Sequence, residues 1–158
     1  VEIMDYKLIL FDIDGTLVET ASGETFRKSA DDWKYLPGRV EKCKQLWQSG
    51  VKVALVSNQG GVAFGLLDPH EIRHELTKTA EGVHAAYVAM CFSHPKAKIE
   101  QFREDSSRRK PGPGMLLEAI EASGEKKQDV LMVGDRSEDE QAAQSAGVAF
   151  MWADEYFK

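Results

Sequence analysis

The chain has 158 residues, 42% of them hydrophobic and 29% charged, with a formal net charge of −6. That balance excludes a disordered chain and a protein that coats nucleic acid through bulk positive charge, though not one that binds a single nucleic-acid end. Two distant cysteines, Cys43 and Cys91, no apolar run of membrane-spanning length and no basic-then-apolar leader pattern lead us to expect a reducing, cytoplasmic setting and no membrane partner.

One domain over residues 1–158 is expected, large enough to bury a core without disulfides. Its first apolar run predicts a strand at Lys7–Ile13 and ends in Asp12-Ile13-Asp14-Gly15. Two carboxylates at the end of a buried strand are costly unless something cationic offsets them. The glycine after them allows a sharp turn, so that a side chain and a backbone carbonyl can face one ion.

A loop over 18–36 leads to a helix at 38–49 and Gly50, then a strand at Val51–Ser57. Past that strand, Ser57-Asn58-Gln59-Gly60-Gly61 offers a hydroxyl, an amide and unobstructed backbone N–H groups to an anion. Asp68-Pro69-His70-Glu71 carries an N-cap, a proline at the first helical position and a capping glutamate, and predicts a helix over 69–83. A strand at Ala86–Phe92 follows, then Arg108-Arg109-Lys110-Pro111-Gly112-Pro113-Gly114 and a helix at 113–123 closed by Gly124. The last units are a strand at Asp129–Val133, the turn Gly134-Asp135-Arg136-Ser137-Glu138-Asp139 and a helix at 138–146 for which Ser137 is the expected cap. Gly147 and a strand at Val148–Trp152 complete the alternation.

Alternating strands and helices predict an α/β, Rossmann-like three-layer fold, with a mainly parallel central sheet and helices on both faces. Ligands in such sheets bind at the carboxyl ends of the strands. There the polar segments gather: Asp12, Asp14 and Asp135 as hard oxygen ligands for Mg2+, Ser57, Asn58, Arg109 and Lys110 as phosphate- and substrate-binding groups. Singly, each segment reads as a cap, a loop or a basic turn. Together, after successive strands, they suit phosphoryl transfer, in which one Asp is nucleophile and a second carboxylate is general acid and base.

The set FDIDGTL, VSNQ, RKPGPGM and VGDRSED resembles the four motifs of haloacid dehalogenase-like phosphatases and spans almost the whole chain. The resemblance implies that Asp12 forms a phospho-aspartyl intermediate and that Asp14 is the general acid/base while its carbonyl faces Mg2+. It gives Ser57 the second-motif hydroxyl role, Lys110 the third-motif lysine role, Asp135 a metal-ligand role and Asp139 a supporting one.

RKPGPGM and Cys91-Phe92-Ser93-His94-Pro95 are similar to heptose bisphosphate and histidinol phosphate phosphatases, whose loop holds zinc through four ligands. Here Ser93, Ser106 and Arg108 stand at three of those places, so a tetrahedral zinc site is not expected and Cys91 reads as a buried strand-end thiol. His70, His74, His84 and His94 are expected at the surface or in caps. The stretch VETASGETFRKSADDW instead looks like polynucleotide kinase 3′-phosphatase domains, although no P-loop occurs. In that stretch Phe26 and Trp33 are read either as loop packing or as substrate contacts.

Neither the segment before the 38–49 helix nor the one before Lys110 is long enough for a folded cap domain, so an open site is expected. The expected partner is a small phosphorylated metabolite of sugar phosphate type. The alternative is a nucleic-acid 3′ end, favoured by the Arg27, Lys28, Arg108 and Arg109 cluster, and a third reading is a non-catalytic phosphate-binding regulatory domain.

Overall fold

A computed structural model describes residues 6–158; the first five residues of the expected domain, and with them the start of the chain searched for a leader, lie outside the described residues. Five parallel strands form the central sheet in the order β5(Tyr87–Cys91), β4(Lys52–Asn58), β1(Leu8–Phe11), β6(Val130–Gly134), β7(Ala149–Trp152). Strand β1 is central, its Leu10 paired with Ala54 on one side and Met132 on the other. The chain runs outward from β1 through β4 to β5, then crosses back to β6. The strand order thus reverses at β1, where such sheets open a crevice at their carboxyl edge.

All four residues of β1, Leu-Ile-Leu-Phe, are fully buried, because both faces of the sheet are covered. Side-chain alternation divides them between two cores. Ile9 and Phe11 join Val53, Leu55, Leu131 and Val133 under α1(Arg39–Gln48), α3(Pro69–Gly82) and α6(Ala153–Tyr156). Leu8 and Leu10 join Ala54, Val56 and Met132 under α4(Gly114–Ser123) and α5(Ser137–Ala146). Past the strand, Ile13 stays with the first core. The aspartates on either side of it are left at the open edge.

The helix ends follow local chemistry. Asp68 caps α3 by accepting the Glu71 N–H at 2.9 Å, with Pro69 in the first turn. Helices α4 and α5 end on left-handed Gly124 and Gly147. The Ser137 cap expected for α5 is corrected: Ser137 is its first helical residue. The Asp139 carboxylate reaches back instead to the N–H groups of Asp135 and Arg136, each at 3.1 Å. One carboxylate oxygen thereby satisfies the N–H of the N-cap residue Arg136 and that of the residue before it.

Several short elements, α6 among them, were not expected from the sequence. β2(Val18–Glu19) and β3(Lys34–Tyr35) pair antiparallel at the base of the 18–36 segment, and α2(Gly60–Ala63) turns away after β4. The segment between β1 and α1 is thus a flap on a two-stranded stem. Trp33 and Tyr35 pack against the core and tie the flap to α3, through Trp33 Nε1–H to Glu75 (2.9 Å) and the Tyr35 hydroxyl to the Thr79 carbonyl (3.0 Å).

Candidate active site

At the carboxyl edge, Lys110 is 3% exposed, and its ammonium group donates to Asp12 Oδ1 (2.8 Å), Asp139 Oδ1 (2.7 Å) and the Val56 carbonyl (3.0 Å). Three bonds use all three donors of the ammonium group. Burial alone would lower the pKa of Lys110, but the Asp12 and Asp139 charges hold it above its ordinary value, and it stays protonated. Burial pushes Asp12 well above the usual carboxylate range; Lys110 opposes that shift and the Asp139 charge adds to it.

One ammonium group therefore faces two buried carboxylates, with Asp135 alongside. Asp12, Asp135 and Asp139 present ligand oxygens within 4.8 Å of one another, the only such group of three among the described residues. Both Asp139 oxygens already accept hydrogen bonds, and Asp135 Oδ1 accepts from the Thr16 hydroxyl at 3.1 Å. Oxygens remain on Asp12 and Asp135. A hard, oxygen-only donor set with surplus negative charge fits a divalent cation.

Gly15 makes the approach possible. Its φ is +89°, and a Cβ there would lie 2.1 Å from Asp135 Oδ2. Only glycine takes that left-handed turn without strain and without displacing the Asp135 carboxylate.

Asp14 stands apart from the floor. Its Oδ1 accepts from Arg27 Nε at 2.9 Å and its Oδ2 from Gln59 Nε2 at 2.8 Å. Gln59 also donates to the buried Ser57 hydroxyl at 2.9 Å. Asn58 lines the cleft, but both ends of its amide are engaged with the Lys110 backbone, at 2.9 Å each. It clasps the loop after β4 to the loop that carries the lysine. Arg109 lines the same cleft, with its buried Nη1 unpartnered.

The cleft above these groups encloses roughly 780 Å³, bounded by Asp12 and Lys110 below and by the flap above. Gln59 and Thr16 were not among the sequence candidates, and Arg27 was read only as one member of a basic cluster. Gln59 lies inside the quoted VSNQ, whereas nothing in the sequence marks one arginine of a polar loop as buried.

The expected basic cluster does not form one patch. Arg27 is buried on Asp14, and Arg108 pairs with Glu118 (2.8 Å) and donates to the Met90 carbonyl (3.0 Å). Lys28 is exposed beside Glu24. Charged side chains near acceptors pair with them sooner than they gather like charge. Cys91 is buried at the end of β5, His70, His74 and His84 are exposed, and His94 accepts the Lys96 N–H. Of the two flap aromatics, Trp33 packs while Phe26 is 72% exposed at the cleft mouth.

A family model described as polynucleotide kinase 3 phosphatase matches residues 7–157. The D-glycero-beta-D-manno-heptose-1,7-bisphosphate 7-phosphatase of Yersinia pestis is 32% identical over 146 residues, covering 89% of this chain and 76% of that protein. The enzyme of the same description from Escherichia coli K12 is 31% identical over 146 residues, covering 89% and 74%. The crystal structure of D,D-heptose 1,7-bisphosphate phosphatase from B. bronchiseptica, complexed with magnesium and phosphate, superposes with a TM-score of 0.76 at 31% identity, over 91% of this chain and 78% of that one.

Proposed function

This chain belongs to the haloacid dehalogenase-like phosphatases, hydrolases of phosphomonoesters, and from that premise we propose that its substrate is a small phosphorylated metabolite of sugar phosphate type. The observation that carries the reading is the buried Lys110 gripping Asp12 and Asp139 beneath an open cleft, with Asp14 held at its side. The 1,7-bisphosphate named for the similar enzymes supports a sugar phosphate.

Lys110 takes one lone pair of Asp12 Oδ1, whose other can serve a cation, and Oδ2 is the attacking atom. In the first step Asp12 Oδ2 bonds to phosphorus, the ester P–O bond breaks and Asp14 gives its proton to the departing oxygen. In the second, Asp14 takes a proton from a water whose oxygen bonds to phosphorus. The Asp12–phosphorus bond breaks, phosphate leaves and both carboxyl groups are restored. Mg2+, held by Asp12, Asp135 and the Asp14 carbonyl, would neutralise charge on the phosphoryl oxygens. Arg109, which lines the cleft, offers its charge to the substrate, and Ser57 its hydroxyl to the phosphoryl group.

A nucleic-acid 3′ end is the second reading. The exposed Phe26 at the cleft mouth favours it, as does the description of the matching family model. The test is phosphate release with Mg2+ from sugar phosphates and bisphosphates, beside an oligonucleotide bearing a 3′-phosphate. We expect a sugar phosphate to lead in kcat/KM, with loss of at least about 10⁴-fold in Asp12→Asn. An oligonucleotide leading by orders of magnitude would replace the metabolite reading, and an active Asp12→Asn would remove the mechanism.

A further inference from the structure

The flap puts its residues in an unusual order. Phe26 is left 72% exposed, while the side chain of its neighbour Arg27 is 3% exposed. Burying a guanidinium group is costly unless its donors are met, and an apolar residue would serve better if the loop needed only packing. The donors go to two places. Nε donates to Asp14 Oδ1 at 2.9 Å and Nη1 to the Ala30 carbonyl at 2.8 Å, while Nη2 has no partner.

The flap is braced around that side chain. Asp32, itself buried, accepts from the Ser22 N–H (2.8 Å), the Ser22 hydroxyl (2.8 Å) and the Lys28 N–H (2.9 Å), which closes the loop between them. Through Ala30 and Asp32 the guanidinium position is set by the flap, and through Nε it sets Asp14.

We propose that Arg27 is a positioning residue for Asp14, fixing the plane of its carboxylate so that Oδ2 is the oxygen that serves the leaving group. Guanidinium is a donor only, so Oδ1 facing Nε stays an acceptor. Oδ2 faces only the neutral Gln59 amide, which it shares with the Ser57 hydroxyl, so Oδ2 is the oxygen on which a transferable proton meets no fixed cation. The plain alternative is an ion pair that merely holds the flap down. The proposal rests on the reading of Asp14 as general acid/base, and the experiment separates the two failures.

The experiment measures leaving-group release in the first turnover for a series of aryl phosphates, from p-nitrophenyl phosphate to esters of weakly acidic phenols. It uses wild type, Arg27→Met, Arg27→Lys and Asp14→Asn, with KM for each ester and circular dichroism as a check on folding. A good leaving group needs no proton, whereas a poor one does. Arg27→Met should slow the poorest leaving group about 10²-fold while p-nitrophenol release changes less than about threefold, so that rate depends more steeply on phenol acidity. Arg27→Lys, which keeps the charge and loses the planar fork, should recover part of that loss.

An equal loss on every ester, or a rise in KM alone, would overturn the proposal in favour of flap anchoring or substrate binding through Nη2. So would unchanged kinetics in a folded Arg27→Met. If Arg27→Met does not fold, the proposal is decided by Arg27→Lys, which must show the same leaving-group-selective loss in smaller degree. Asp14→Asn should show the selective loss at full size; if it does not, the reading of Asp14 fails, whatever Arg27 does.

Discussion

The floor of the cleft and the flap above it are built on opposite terms. The floor is rigid by connection: Lys110 reaches Asp12 after β1, Val56 within β4 and Asp139 in α5, and so ties three neighbouring elements at one nitrogen. Its carboxylates are costly to bury and tolerable only together. The flap is self-contained. Its tip is closed by bonds from Ser22 and Lys28 to Asp32 within one loop, and the side chains of Trp33, Tyr35 and Arg27 bond to the body. The chemistry thus stands on strand ends that cannot move without breaking the sheet. The side chains at the cleft mouth, Phe26 among them, stand on a loop that can vary alone.

The largest effect is expected where the floor is cut. Lys110→Met leaves Asp12 and Asp139 facing each other without their shared cation. Unfolding free energy should fall by about 3–5 kcal/mol, and turnover at least about 10³-fold. The sign with pH follows from Asp12, whose pKa burial already raises above 3.8. A carboxyl raised on folding favours the folded state below its unfolded pKa, and that advantage is lost as pH rises through the folded value. Losing the opposing Lys110 charge raises that value further. The variant should therefore gain stability on acidification from neutral pH more than wild type does, in denaturant melts at a series of pH values without added metal. A flat difference between the two proteins would break the account of the floor.

The same contrast governs what the sequence discloses. Strand β1 is legible because four apolar residues in a row have both sheet faces to fill, and the aspartates after it stand out against that run. Asp135 is legible because it follows a strand, Ser57 because it ends one, and Lys110 because its basic segment leads into a helix that reaches the same edge. The flap is not. Strands β2 and β3 have two residues each, too few for any period to show, and their pairing depends on where the stem meets α3. Phe26 exposed and Arg27 buried reverse what hydropathy suggests, since the arginine answers to an acceptor 13 residues earlier. The Ser137 cap was misread for a related reason: Asp139, placed by Lys110, reached the N–H groups first.

A middle-sized effect should follow from loosening the flap while the floor stays whole. Backbone N–H bonds from Lys28 foremost, then the Ser22 hydroxyl, hold Asp32 below the usual carboxylate range. Asp32→Ala removes every acceptor at that closure. Because Val18, Trp33 and Tyr35 keep the stem packed on the core, the melting midpoint should shift less than in Lys110→Met, whereas kcat/KM should fall about 10- to 100-fold as Arg27 and Asp14 lose their setting. Asp32→Ala should thus lose activity out of proportion to its small loss of stability. A midpoint shift as large as that of Lys110→Met would mean that floor and flap are one cooperative unit.

The smallest effect is expected at Phe26, and it sharpens the contrast most. The ring is 72% exposed, so Phe26→Ala removes almost no buried area, and stability should stay within about 0.5 kcal/mol of wild type. On a sugar phosphate the cleft is used at its floor, and kcat/KM should change less than about threefold. An oligonucleotide end extends past the rim, where a base stacked on the ring is worth about 1–3 kcal/mol, a loss of roughly 10- to 100-fold for the same variant. One substitution read on two substrates thus asks whether the flap tip contacts the leaving group at all. Indifference on both would leave Phe26 as surface and restrict the flap's part in the reaction to its grip on Asp14.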